Sequence, residues 1–180
     1  MNENEKLTLV EPSMDYDQQI QEYRRDFLNT TGTMDGSGSL RRFENTRDWL
    51  EQVELFKRPE TTPENFVPCT QYLYLRENDQ KVVGMIQIRH YLNENLRNFG
   101  GHIGYSVCPS ERRRGYATRM LKAVLPKCKE LGLERVLITC FAENEGSRRT
   151  ILKNGGVYES TVYEPEEDRY LERYWIDLSQ

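Results

Sequence analysis

Histidine is almost missing from this chain: His90 and His102 are the only two in 180 residues. The four cysteines (Cys69, Cys108, Cys128 and Cys140) stand far apart, mostly inside apolar runs. That scarcity and spacing exclude a zinc site by pattern. No metal is expected, and the thiols read as reduced and buried. No stretch approaches the roughly 18 apolar residues that a membrane span requires, and Met1-Asn2-Glu3-Asn4-Glu5-Lys6 has no signal-peptide pattern. The expectation is a cytoplasmic protein with no membrane role, in which the formal glycosylation acceptor Asn29-Thr30-Thr31 is silent. Positive charge is in deficit, with 25 Lys and Arg against 29 Asp and Glu, a net charge of −4 that argues against nucleic-acid binding. There is no internal repeat. The Gly/Ser turn Asp35-Gly36-Ser37-Gly38-Ser39 lacks a helix-opening lysine after it, so it is read as a flexible loop tip and not a P-loop. No Asp/Glu pair forms a recognisable magnesium-binding motif, which weighs against a nucleotide-phosphate enzyme.

What is present concentrates in one place. Arg112-Arg113-Arg114-Gly115-Tyr116-Ala117-Thr118 lies between a strand-like run, His102 to Val107, and a strongly periodic helix. The first turn of a helix leaves about four backbone N–H groups without intrahelical partners. The macrodipole adds roughly half a positive charge there, so the end of such a helix is an anion site. Gly115 has no Cβ to keep a phosphate away from the backbone. Arg112, Arg113, Arg114 and Arg119 add positive charge to an otherwise acidic protein. The turn therefore reads as a phosphate cradle.

The helix after it shows one apolar stripe, Ala117, Met120, Leu121, Val124, Leu125, Cys128 and Leu131, at three- and four-residue steps. Gly132 suits a left-handed stop, with Leu133 packing back, while Pro126 should kink the helix. Arg135 to Cys140 is a continuous apolar run, as expected of a strand covered on both faces. Strand, helix and strand in this order imply a right-handed crossover and parallel strands. Leu7 to Val10 reads as a first strand. Ser13 caps a helix from about Met14 to Leu28, and a second helix runs from about Thr46 to Phe56. Gln71 to Arg76 with Lys81 to Arg89, and Val157 to Tyr163 with Leu171 to Leu178, form hairpins. The expected architecture is an α/β fold (α+β in some schemes). It has a mixed, mostly antiparallel twisted sheet with one central parallel strand pair and helices on both faces. One domain spans residues 1–180.

Arg112-x-x-Gly115-x-Ala117 resembles the Gln/Arg-x-x-Gly-x-Gly/Ala pyrophosphate loop of the GNAT N-acetyltransferase superfamily. Val107-Cys108-Pro109 is similar to the end of that family's fourth strand. Asn144-Glu145-Gly146-Ser147, followed by Lys153-Asn154-Gly155-Gly156, resembles its second conserved block. The resemblance runs from about Lys81 to Leu178. It implies direct transfer of an acetyl group from acetyl-CoA to a primary amine in a ternary complex, with no covalent enzyme intermediate. It also implies that Tyr105, Ser106 and Val107 hold the pantetheine arm through backbone groups left unpaired where the central strands splay. The loop from Arg112 to Thr118 would hold the pyrophosphate, and Asn144 and Ser147 would lie against the cofactor. A backbone N–H near Val107 would stabilise the tetrahedral oxyanion, worth a few kcal/mol. The acceptor is a small-molecule or protein amine, and a homodimer is a frequent assembly among relatives.

The chain departs from the family pattern where acid–base chemistry is usual. An alkylamine with a pKa near 10.4 must lose a proton, at a cost of about 4 to 5 kcal/mol at pH 7, so a base or water is expected to assist. The usual strand position of that base is Gly101, and the position of the usual proton-donating tyrosine is Ile151. Tyr105 and the neighbouring His102 are the remaining catalytic candidates; Tyr158 or water are alternatives. The same departures also suit an acyl-CoA-binding sensor without catalysis. The resemblance implies that the acceptor is set by Gln18 to Phe56 and Tyr158 to Trp175. Their Tyr23, Arg41, Arg42, Phe43, Trp49, Tyr163, Glu166 and Trp175 fit a polar cationic acceptor, but ordinary surface is the preferred reading of that composition.

Overall fold

Strand β1 (Leu7–Val10) leads to Ser13, whose hydroxyl accepts the Asp15 N–H at 3.2 Å and opens a short 3-10 turn into helix α1 (Asp17–Leu28). Asn45 caps helix α2 (Thr46–Leu55) in the same way, its side-chain oxygen accepting the Asp48 N–H at 2.9 Å. The computed structural model describes residues 5–30 and 32–179; the start of the N-terminal segment and Thr31 of the formal sequon lie outside them. The central hairpin is β2 (Cys69–Arg76) with β3 (Lys81–Arg89), and β4 (Ile103–Val107) pairs with β3. Helix α3 (Tyr116–Glu130), β5 (Arg135–Phe141) and helix α4 (Glu145–Lys153) follow, before the closing hairpin β6 (Val157–Glu164) with β7 (Arg169–Asp177).

The strands form two antiparallel sheets, ordered β1-β2-β3-β4 and β5-β7-β6. Helices cover both faces, and each face has its own core. On one face Met120, Leu121, Val124 and Cys128 of α3 pack with Ile86 and Ile88 of β3 and with Val136 and Ile138 of β5. This helix therefore ties the two sheets together. On the other face Ile20, Tyr23 and Phe27 of α1 and Trp49 and Val53 of α2 meet Leu73, Leu75, Val82 and Met85. Each fully buried aliphatic side chain contributes about 1.5 to 3 kcal/mol, so these two cores hold the frame rigid. Tyr23 and Trp49, expected on the surface of the acceptor segment, are 1% and 0% exposed and belong to this second core.

The end of α3 is built as the sequence suggests. Gly132 has φ +83°, its N–H reaches Lys129 O (2.9 Å), and the Leu133 N–H reaches Cys128 O (3.2 Å). Both bonds of a Schellman stop are made. Leu131, the last rung of the apolar stripe, is 42% exposed, because it lies just past the helix end where the chain turns outward. The helix runs on through Pro126, whose missing N–H leaves Lys122 C=O without its usual donor.

The Gly/Ser turn is not a flexible tip. Gln71 Nε2 donates to Gly36 O (2.7 Å), Trp49 Nε1 to Ser37 O (2.9 Å) and Gln52 Nε2 to Gly38 O (2.8 Å). Gly36, at φ +65°, lies so close to β4 that a Cβ there would sit 2.1 Å from Gly104 O. Its glycine is the condition for clamping the turn onto the strand.

Candidate active site

The expected central parallel pair keeps its direction but not its ladder. β4 and β5 are stitched at one point: the His102 N–H donates to Leu137 O (2.7 Å), and the Leu137 N–H donates to His102 Nδ1 (2.9 Å). Farther along, the Tyr105 hydroxyl reaches Ser147 Oγ just beyond the end of β5 (2.6 Å), so the two strands run the same way. Among the described residues no backbone bond joins them past the stitch, and a gap opens between two otherwise complete sheets.

The register of β4 decides which of its backbone groups face that gap. The Cys108 N–H donates to Val83 O (2.9 Å), and Val107 stands opposite Gly84. By the alternation of antiparallel pairing, Ser106 directs its amide groups to β3, while Tyr105 and Val107 direct theirs into the gap. Val107 C=O accepts Arg112 Nε at 3.3 Å. Of the three residues expected to line the gap, Ser106 thus differs in its backbone. Its hydroxyl meets Tyr23 Oη (2.8 Å), whose O–H also approaches Ser106 O (3.1 Å), fastening β4 to α1.

At the mouth of the gap α3 begins without a side-chain cap. Gly115 occupies the N-cap position at φ +79°, ψ +7°. The Arg119 N–H is the first in the helix to find a helical partner, Gly115 O at 3.2 Å. The N–H groups of Tyr116, Ala117 and Thr118 have no backbone or side-chain acceptor among the described residues. Arg113, at φ +64°, is exposed on the same loop. The other arginines are more occupied than the sequence suggests. Arg112 stacks on Phe27 (5.6 Å), Arg114 pairs with Glu111 (2.5 Å), and Arg119 Nη2 donates to Glu5 O (2.7 Å). The anion-binding capacity of the loop therefore resides in its N–H groups and helix dipole more than in net side-chain charge.

The Tyr105 side chain is desolvated against the core on the α3 face. Burial raises its phenol above the usual value, the Ser147 bond lowers it less, and Cys140 and Asp35 raise it further. The phenol is therefore protonated at neutral pH and suited to donate a proton. His102 is used differently from the expectation of a base. It is 6% exposed, and its Nδ1 lone pair is taken by the Leu137 N–H. Burial, then Arg89, Arg135 and Arg97, push its value down to about 4. It is a neutral stitch between strands and presents no free basic nitrogen at Nδ1. Asn144 Oδ1 accepts the Ser147 N–H (3.0 Å) and caps α4. Ser147 in turn positions the Tyr105 hydroxyl.

The two departures from the acid–base pattern have steric causes. Gly101 has φ +67° and ψ −174°, a region open essentially to glycine alone, and a Cβ there would lie 2.6 Å from Leu137 O. No carboxylate or imidazole fits at that position. Ile151 is fully buried under Gly156, whose added Cβ would meet Ile151 Cγ2 at 2.4 Å.

Residues 7–157 match the family described as Acetyltransferase (GNAT) domain. The chain belongs to that family. Among curated proteins it is similar to the uncharacterized N-acetyltransferase YoaA of Bacillus subtilis (strain 168), at 32% identity over 94 residues. Those residues are 49% of this chain and 51% of that protein, so the match spans about half the length of the curated relative. The solved ribosomal-protein-S5-alanine acetyltransferase of Vibrio fischeri has a TM-score of 0.67 at 18% identity, covering 100% of this chain and 96% of that one. The microcin C7 self-immunity acetyltransferase MccE, solved with acetyl-CoA and AMP, has a TM-score of 0.65 at 18% identity, covering 97% and 93%. At such identities these two structures establish the fold.

In this GNAT domain the phosphate-type loop rests on a polar cluster that sequence reasoning missed. Glu111 receives Arg76 through two bonds (2.8 and 3.1 Å), Lys81 at 3.0 Å and Arg114 at 2.5 Å. Tyr116 Oη accepts from Arg76 Nη1 (2.8 Å) and donates to Glu5 Oε2 (2.8 Å). Burial alone would raise Glu111, but Arg76 and Lys81 hold its carboxyl down at about 2. The cluster anchors the first residue of α3. Arg76 and Glu111 are separated by 35 positions, and no local pattern marks them as partners.

Proposed function

We propose that the protein transfers an acetyl group from acetyl-CoA directly to the primary amine of an acceptor in a ternary complex. The observation that carries this reading is the uncapped start of α3, at Gly115, opening beside the gap between β4 and β5. The N–H groups of Tyr116, Ala117 and Thr118 would take the pyrophosphate, with Arg113 and Arg114 above them. The backbone groups of Tyr105 and Val107 that face the gap would take the pantetheine arm, and a gap-facing N–H near Val107 would stabilise the oxyanion. Acetyl-CoA supplies an activated thioester when bound.

Tyr105, steadied by Ser147, holds a proton at the position where a departing thiolate needs one. With Gly101 and Ile151 sterically closed and His102 engaged, water removes the proton from the amine. These same closures favour a second reading, an acyl-CoA-binding sensor with weak or no catalysis. Calorimetry with acetyl-CoA, followed by detection of free thiol against an amine panel, separates the two. Binding with thiol release supports transfer, and binding without release for any amine supports the sensor. Absence of binding removes both.

A further inference from the structure

Arg89 closes β3, and its side chain lies on the α1/α2 face of the sheet. A Cβ placed on Gly104 would be 3.1 Å from Arg89 Nη2 and 3.3 Å from Gly36 N, so the guanidinium and the clamped turn flank the same point of β4. Nη1 donates to Gly100 O (3.0 Å) and Gly101 O (3.3 Å). Nη2 and Nε donate to nothing among the described residues, and neither is fully covered. Two other partly covered arginines have carboxylate partners: Arg76 has Glu111 at 2.8 Å and Arg173 has Glu159 at 2.8 Å. Arg89 has none among the described residues. Burial pulls its value below the ordinary one, with Cys69 and then Asp35 opposing. Asp35 lies on the clamped turn, bonded among the described residues by the Thr33 hydroxyl (3.0 Å), and its field reaches both Arg89 and Tyr105.

We infer that Arg89 is the specificity-determining residue of the acceptor site, its Nη2–Nε edge receiving a carboxylate on a small amine acceptor, with Asp35 facing the amine end. The inference rests on the acetyl-transfer reading above. A guanidinium edge with two parallel donors matches a carboxylate in geometry and charge. Nη2 lies beside Gly104, and the next residue, Tyr105, faces the gap where transfer takes place. This adjacency suits an acceptor that carries carboxylate and amine on one small molecule. The acceptor class is the free amino acid, and polyamines lack the group that Arg89 reads.

The test is steady-state kinetics with acetyl-CoA and four kinds of acceptor: free amino acids, their carboxamides, the corresponding amines without the carboxylate, and spermidine. The wild-type protein, Arg89→Met and Arg89→Lys are compared, and acetyl-CoA affinity is measured separately by calorimetry. The expected result is a preference in kcat/KM of about 10- to 100-fold for an amino acid over its carboxamide, the span of one or two charge-assisted hydrogen bonds. Arg89→Met should lose that preference through KM, Arg89→Lys should regain part of it, and acetyl-CoA affinity should hold. If Arg89→Met does not fold, the wild-type panel and Arg89→Lys decide. Equal use of carboxamides or polyamines overturns the inference and leaves acetyl transfer standing. So does a preference that survives Arg89→Met. Acetyl-CoA binding with no amino acid acetylated also overturns it, whereas no acetyl-CoA binding removes the acetyl-transfer reading together with it.

Discussion

Replacing Glu111 by Gln separates the support of the phosphate loop from the loop itself. The substitution keeps shape and removes charge. Both partners are covered, Arg76 at 10% and Glu111 at 8% side-chain exposure, so the lost attraction is not replaced by water. Breaking a buried pair costs about 3 to 5 kcal/mol when a lone charge remains. Here Asp79 still holds Arg76 at 2.9 and 2.7 Å, which puts the cost near or below the lower end. A second route gives a similar size. The carboxyl sits at about 2 in the folded protein against an ordinary 4.5. At about 1.36 kcal/mol per pH unit that is roughly 3 kcal/mol of preference for the charged form.

The sign follows from the direction. A depressed carboxylate contributes stability that is full above about pH 4.5 and is lost as pH falls through about 2. Urea unfolding at pH 7 should therefore show Glu111→Gln less stable by about 2 to 3 kcal/mol, or about 5 to 10 °C in Tm for a chain of this size. The gap between variant and parent should narrow steadily between pH 4.5 and pH 2. Because Tyr116 opens α3 and belongs to the same cluster, acetyl-CoA affinity should also weaken at pH 7. A stability gap that stays constant across that pH range would refute the ionic account, and no gap at pH 7 would refute the anchoring role.

Gly115→Glu should abolish acetyl-CoA binding in calorimetry while the fold survives. The left-handed φ of +79° costs a side chain about 1 to 2 kcal/mol, and the carboxylate repels phosphate; unchanged affinity would show the cradle misplaced. Tyr105→Phe should lower kcat by about 100-fold with little change in acetyl-CoA affinity. Because the phenol is raised, the parent's kcat should show no alkaline fall below about pH 10. His102→Gln should flatten the stability–pH curve between pH 6.5 and 4. The unfolded chain protonates this residue below about 6.5 while the folded one resists down to about 4, so the parent loses up to about 3 kcal/mol as pH falls through that window. A parent curve flat from pH 6.5 to 4 would show His102 to be exposed to protonation after all.

Those predictions divide along the same line as what the chain discloses by itself. The stripe from Ala117 to Cys128, the Gly132 stop, the Ser13 cap and the two hairpins are interactions between near neighbours, and periodicity displays them. The gap is another matter. It exists because Gly101 takes a backbone conformation that lets His102 bond Leu137 once and then lets β4 depart from β5. Sequence shows a glycine where a base was expected but not the contact that demands it. The Tyr105–Ser147 bond spans 42 positions, and the Arg76–Glu111 pair spans 35. Counting arginines near Gly115 overstated the charge available to a ligand, because Arg114 and Arg119 are paired with acidic residues outside the motif. Conversely, Arg89 ends an ordinary-looking strand and carries no motif, yet only its Nη1 donates to a partner among the described residues. In this fold the proposed phosphate loop is written locally, because one backbone turn makes it. The inferred acceptor side draws on β3, β4 and the clamped turn at Gly36, so it becomes visible only when three distant segments are brought to one point.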